Sequence, residues 1–277
     1  ASVRGVVNAV SGLGIFFSEE NQSLLSKILP KVLRFSHYRD RLTVIFQNDE
    51  DKSLFLNNRI IREDQAAMIK GSGVDLQQFC YSPEPEEGKI KVLLTARMIV
   101  EKGIFVLTDA ALKLKEQYKG KVQFLLCGGL DDNPKAIREE ELQAVCDGEY
   151  IQWLGYRTDV LNLLKDCHIV AFPSYYKEGL PKSLIEATAV GRPIVTTNSI
   201  GCKETVVDGY NGYLIPVKDS DTLADRLKRL IEDKALRQEM GKNSRRLAEW
   251  DFSIENVVRR HLEIYEDLSG VEISGSK

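Results

Sequence analysis

From Lys89 onward, short β-branched runs alternate with amphipathic helical stretches, and this alternation narrows the possible folds more than any other feature. Candidate strands fall at residues 90–96, 121–127, 150–154, 168–172, 193–197 and 212–217. The segments between them have helical periodicity at about 104–118, 135–146, 158–166, 181–190 and 219–232. Strands joined through helices run parallel, and a parallel sheet is covered on both faces. The predicted fold class is therefore α/β with a doubly wound parallel sheet. Such sheets bind ligands beyond the carboxyl ends of their strands, so the chemistry is expected in the loops after Ala96, Cys127, Leu154, Phe172 and Thr197.

The first 80 or so residues read differently. "ASVRGVVNAV" predicts a strand, "QSLLSKILPKVLRFSHY" a basic amphipathic helix kinked at Pro30, "RLTVIFQ" a strand and "NDEDKSLFLNN" a short capped helix. "AAMIKGSGVD" adds one more strand, and the Pro- and Glu-rich "YSPEPEEGK" (81–89) reads as a linker. Two domains follow, residues 1–80 as a partial α/β unit and residues 81–277 as a complete one. The first is too short to close a doubly wound sheet, and the chain opens on Ala, so an upstream piece is expected.

The outer bounds exclude several functions. A net charge of -3 and a pI near 5.8 argue against nucleic-acid binding, which needs an excess of cations. Five scattered cysteines without a C-x-x-C pair predict reduced core residues in a cytosolic protein. No run reaches the roughly 18 apolar residues of a membrane span. His37, His168 and His261 read as packing or surface residues. The D-x-D tripeptides Asp49/Asp51 and Asp219/Asp221 each open a helical pattern, where acids cap or complement the dipole, so no metal site is expected.

The stretch "YYKEGLPKSLIEATAVGRPIV" (175–195) is largely apolar yet carries Glu178 and Glu186. Pro181 suits the first helical position and Gly191 stops the helix. The backbone around Gly179, Leu180, Lys182 and Ser183 then offers amides unpaired by the helix, at the positive end of its dipole. Glu186 shares a face with Lys182 and Ser183 and leans back toward that mouth. Composition leaves two readings open: a ligand-facing carboxylate, or a glutamate that merely complements the dipole or faces solvent. Beyond the strand at 90–96, "TARMIVEKG" places Arg97 and Lys102 at the ligand edge of the sheet, and two cations facing a helix N-terminus suit a diphosphate.

Arg97 with Lys102-Gly103, then "GLPKSLIEATAVGRPIVTT" preceded by Glu178, then "GCKETVVDGYNGYLIPVKDSDTLA", resemble the GT-B retaining glycosyltransferases of glycosyltransferase family 4 over about residues 67–265. The resemblance implies a nucleotide-sugar-binding C-terminal domain and an acceptor-side N-terminal domain. It implies that Arg97 and Lys102 hold the donor diphosphate, that Glu186 accepts hydrogen bonds from the ribose, and that Glu178 contacts the transferred sugar. The backbone of Gly179, Leu180, Pro181, Lys182 and Ser183 would complete the sugar and phosphate contacts, with Tyr156 and Arg157 against the base. Gly201 and Glu204 match a turn that shapes the wall of the site. The expected activity is transfer of a hexose or N-acetylhexosamine to a glycan or lipid-linked acceptor in bacterial surface-polysaccharide synthesis. No cofactor is expected, and the donor is a UDP-sugar, with GDP-sugars as the alternative.

The chain departs from the family where many members carry a histidine before the glycine matching Gly12, for Ser11 stands there. A nucleotide-sugar-binding module without transfer activity and a nucleotide-sugar epimerase are the rival readings. A nicotinamide dehydrogenase fails because "CGGLDD" has the wrong glycine spacing. The protein is expected to be cytoplasmic, and the basic helix at 22–38 leaves two readings open: peripheral contact with an anionic membrane surface, or packing into the acceptor-side domain with its charges solvated.

Overall fold

In a computed structural model, residues 3–13, 24–176 and 179–271 are described. Among these residues the β-branched runs become nine parallel-paired strands in two sheets. The first has the order β1-β2-β3, built from Val6–Val10, Leu42–Phe46 and Ala66–Met68. The second has the order β6-β5-β4-β7-β8-β9, built from Ile90–Thr95 (β4), Val122–Cys127 (β5), Ile151–Trp153 (β6), Ile169–Phe172 (β7), Ile194–Thr197 (β8) and Gly212–Ile215 (β9). All six predicted strands of the larger sheet are present, each within two residues of its expected bounds.

Between them run α3 (Ile104–Tyr118), α4 (Glu139–Val145), α5 (Val160–Asp166) and α6 (Lys182–Val190), and α7 (Ser220–Glu232) follows β9. Helix α4 starts four residues later than periodicity predicts, after the turns at 133–138. The side chains of β4 divide between two cores as the pleat requires. Val92 and Leu94 pack with Leu107, Ala111, Leu223 and Leu227 of α3 and α7. Leu93 faces Leu164, Leu184 and Ile185 of α5 and α6.

In the first sheet, Leu42, Val44 and Phe46 pack toward α1 (Leu24–His37) and α2 (Asp49–Asn57). Asn48 caps α2, its Oδ1 accepting from the Asp51 amide at 2.8 Å. The opposite face is covered from far along the chain. Ile45 and Ile69 pack on Val257 and Ile264 of α9 (Ile254–Ser269), which follows α8 (Lys234–Leu247) and a π-helical turn at Ala248–Phe252. Helices α8 and α9 lie outside the β-to-α alternation, because each follows another helical segment rather than a strand. Helix α9 lies beyond residue 80 in sequence and completes the sheet that precedes it.

The segment predicted as a linker is anchored rather than loose. Glu84 is buried against Arg237, whose Nε donates to it at 2.8 Å, and Arg237 also donates to the carbonyls of Leu230 and Ile231. The cysteines need a similar correction: all five are free, but Cys80 is exposed and Cys146 half-buried, leaving Cys127, Cys167 and Cys202 in the core.

Candidate functional site

In the six-stranded sheet the chain leaves β4 to one side for β5 and β6, then returns to the other side for β7, β8 and β9. β4 and β7 are neighbours, with Val92 paired to Ile169 and Leu93 to Val170. A crevice opens at such a reversal, between the loops that leave the two strands. Here those loops are 96–103 and 173–181, which hold most of the residues singled out from the sequence.

The loops meet at Gly103. Its φ is 80°, and a Cβ there would lie 2.1 Å from the Pro173 carbonyl oxygen, so both conformation and contact require glycine. The Glu101 carbonyl strengthens the junction by accepting from the amides of Tyr175 and Tyr176 and from the Ser174 hydroxyl. Lys102 is brought under the second loop. Its side chain is buried, with Nζ 5.0 Å from the Tyr176 ring centroid and 5.7 Å from that of Phe172. Aromatic faces stabilise a cation in partly desolvated surroundings.

Arg97 points the other way along the crevice. Its guanidinium donates to Asp131 at 2.7 Å, in the loop after β5, while staying largely exposed. That hydrogen bond holds the Asp131 carboxyl below the usual carboxylate range. Asp131 belongs to "CGGLDD", which the sequence offers merely as a poor dinucleotide motif; its position at the carboxyl end of β5 is the signal that finds it. The loop after β6 lies alongside, the Gly128 amide donating to the Gly155 carbonyl at 2.9 Å. Tyr156 is 77% exposed there, its Cβ 3.5 Å from the position a Cβ would take on Gly129. Arg157 is held by Asp159 through two bonds of 2.7 and 2.6 Å. An exposed ring over Gly129 offers a flat platform to a planar ligand group.

Pro181 occupies the capping position of α6 rather than its first turn, with φ −63° and ψ 117°. The first bond of the helix runs from the Leu184 amide to the Pro181 carbonyl, so Lys182 and Ser183 precede it and direct their amides at the crevice mouth. Leu180 is different from the expectation. Its amide donates to Gln47 Oε1 at 3.0 Å, a side chain from the other sheet that the sequence alone does not single out. Glu186 lies one turn into α6 at 13% side-chain exposure, 3.9 Å from Lys182 Nζ. Burial pushes its carboxyl above the ordinary range, and Lys182 opposes this weakly. Such a carboxylate gains by accepting hydrogen bonds from a ligand. Glu178 lies outside the described residues.

The turn at 201–204 follows β8. Glu204 accepts from the Gly201 amide at 2.6 Å, and burial raises its pKa. Three of the four D-x-D acids have structural partners: Asp51 bonds Asn48, Asp219 caps α7 through the Thr222 amide, and Asp221 pairs with Lys113, while Asp49 lies in the first turn of α2. Among the described residues, no group of three or more His, Cys, Asp or Glu is disposed to hold a metal ion.

Several known proteins resemble this chain. The family model of Glycosyl transferases group 1 matches residues 81–247. An N,N'-diacetylbacillosaminyl-diphospho-undecaprenol alpha-1,3-N-acetylgalactosaminyltransferase of Campylobacter jejuni is 30% identical over 276 residues, covering 93% of this chain and 69% of its own length. The Escherichia coli UDP-Gal:alpha-D-GlcNAc-diphosphoundecaprenol alpha-1,3-galactosyltransferase is 26% identical, covering 97% and 70%. CapM, a capsular polysaccharide biosynthesis glycosyltransferase of Staphylococcus aureus, is 24% identical, and this chain spans 57% of its length. In architecture the chain is similar to Anabaena HepE, solved in complex with UDP, at a TM-score of 0.77 and 22% identity over 96% of this chain and 72% of that one. The two parallel sheets, with the crevice at the β4–β7 reversal, are those of the GT-B fold. Sequence and architecture agree, and the chain belongs to the group 1 glycosyl transferases.

Proposed function

We propose that this chain supplies the donor site and part of the acceptor side of a retaining glycosyltransferase, which moves a hexose or N-acetylhexosamine from a UDP-sugar to a lipid-linked glycan. The observation that carries the reading is the junction at Gly103, where the Lys102 loop and the approach to α6 converge at the β4–β7 crevice. Support for the acceptor class comes from the two relatives named for diphosphoundecaprenol-linked substrates. CapM supports a role in surface-polysaccharide synthesis.

In the reaction, the bond from the anomeric carbon to the diphosphate breaks and its electron pair leaves with the nucleoside diphosphate. The acceptor hydroxyl bonds to that carbon and loses its proton. Charge grows on the leaving diphosphate, and groups already aimed at it lower the barrier. Arg97, Lys102 and the first amides of α6 are those groups, acting without a metal ion in this reading. Glu186 accepts from the ribose hydroxyls and Tyr156 and Arg157 flank the base, while Glu178 contacts the sugar.

The work is assigned to the cytoplasmic face of a membrane. No helix among the described residues is long and apolar enough to cross one. On α1, however, Val32 and Phe35 are 56% and 88% exposed among Lys31, Arg34 and the following Arg39. That composition suits an anionic lipid surface.

Thermal shift with a panel of nucleoside diphosphates and their sugars tests the donor. UDP-sugars should stabilise the chain, by about 2.7 kcal/mol at 100 times the dissociation constant. Arg97→Ala should abolish most of that gain, whereas Glu178→Ala should spare UDP and reduce discrimination between UDP and UDP-sugar. Stabilisation by GDP-sugars instead would move the base assignment, and none by any nucleotide would end the donor reading.

A further inference from the structure

The loop that follows β2 reaches across to the donor crevice at two points. β2 is the central strand of the first sheet, so its carboxyl end opens on that sheet's ligand edge. The next residue, Gln47, accepts from the Leu180 amide at 3.0 Å. The fit there is tight, since a Cβ on Gly179 would lie 2.5 Å from Gln47 Oε1 and 2.0 Å from the Ser11 carbonyl oxygen. Gln47 is held in place from behind. Asn48 is buried, accepts from the Asp51 amide at 2.8 Å and donates to the Asp51 carboxylate at 3.0 Å, which fixes the backbone at the start of α2.

Three residues on, Glu50 forms an ion pair with Lys203. Lys203 belongs to the 201–204 turn, and pairing with Glu50 is the main reason its pKa is raised. One short segment, Gln47 to Glu50, therefore holds both the loop that leads into α6 and the turn at 201–204 that follows β8.

We propose that Gln47 is a positioning residue for the donor sugar, with the Glu50–Lys203 pair as its second anchor. The inference rests on the donor reading above. Gly179 and Leu180 stand between β7 and the first turn of α6, where the sugar end of a nucleotide sugar would rest. A loop with a glycine and an unpaired amide would sample many conformations; the Gln47 bond selects one before the ligand arrives. The nucleotide end depends on Arg97, Lys102, Glu186 and the amides of Lys182 and Ser183, all within the second sheet's half. Gln47 therefore acts on sugar recognition and hardly on UDP. The contact also ties the loop to the first sheet, since a residue 133 positions away supplies its acceptor.

Hydrogen exchange of the segment 174–184 tests the bond directly, in the 277-residue chain. Gln47→Met keeps the length but removes the acceptor, and should speed exchange at the Leu180 amide about tenfold. Gln47→Glu retains an acceptor oxygen and should restore protection. Reversing one charge, by Glu50→Lys or by Lys203→Glu, should loosen the same segment, and the double reversal should recover it. In calorimetry, Gln47→Met should leave UDP affinity within about twofold while removing most of the extra affinity that a UDP-N-acetylhexosamine has over UDP.

Unchanged exchange in Gln47→Met, or an equal loss for UDP and the UDP-sugar, overturns the proposal. If neither nucleotide binds the unaltered chain, the donor reading fails, and the exchange series still decides whether the Gln47 bond holds the loop.

Discussion

The six-stranded sheet is closed on both faces by helices that lie between its strands or directly after the last of them, whereas the three-stranded sheet takes α9 from more than 180 residues away to cover one of its faces. The difference also appears at the surface. Helices α3, α6 and α7 bury Leu107, Leu114, Leu184, Ile185, Leu223 and Leu227, while α1 leaves Ile28, Val32 and Phe35 from 46% to 88% exposed. The larger sheet is thus covered by its own neighbouring helices, and the smaller one reaches it through the Gln47–Leu180 hydrogen bond and the Glu50–Lys203 ion pair.

The sharpest way to break this contrast is to remove Arg237. Arg237→Met strands Glu84 as an unpaired buried charge inside the larger half, and should cost about 3–5 kcal/mol in urea unfolding. A loss below about 1 kcal/mol would mean that the packing of the six-stranded unit does not depend on the anchored linker.

Glu186→Gln should act in opposite directions on stability and on binding. Because burial raises the Glu186 pKa, the folded state holds this proton more tightly than the unfolded chain does. Its contribution to stability is therefore fully present below the unfolded pKa and is lost as pH rises through the folded one. Glutamine removes that cost, so the melting temperature near pH 7 should rise, and the difference from the native chain should vanish in acid. UDP affinity should fall about tenfold, the size of one hydrogen bond to a charged acceptor. In the native chain UDP affinity should fall as pH drops through the raised pKa, and Glu186→Gln should flatten that limb. A flat profile in the native chain would assign Glu186 to packing alone.

The smallest effect on stability should come from the open half. Phe35→Ser changes an 88% exposed side chain, and its unfolding free energy should stay within about 0.5 kcal/mol of the native value. Co-sedimentation with anionic vesicles should nevertheless drop about tenfold, the equivalent of losing most of one inserted aromatic side chain. The native chain's recovery should itself fall steeply with salt. Equal recovery with neutral and anionic vesicles, or none with either, would return α1 to the role of a helix awaiting a protein partner.

Much of the larger half is legible in the residues alone. Periodicity predicts all six strands of its sheet, because strands buried on both faces must be β-branched and short. Spacing of four residues puts Glu186 on the face of Lys182, as found at 3.9 Å. The requirement for glycine at 103 is harder to see, since it arises from the Pro173 carbonyl of another loop. Charge type is legible too, but pairing is not: Arg97 takes Asp131, and Glu84, in a segment that reads as a solvated linker, takes Arg237.

What the sequence determined by itself is the set of local choices: which segments extend, which coil, where α2 and α7 are capped, and which few polar groups interrupt apolar runs. These depend on neighbours within a turn or a strand. The tertiary structure decided the strand order that makes β4 and β7 adjacent, the return of α9 to the first sheet, and the meeting of Gln47 with the Leu180 amide. Each joins residues dozens to more than two hundred positions apart, and their proximity follows from which apolar faces bury each other, a property of the assembled cores that no local stretch of residues contains.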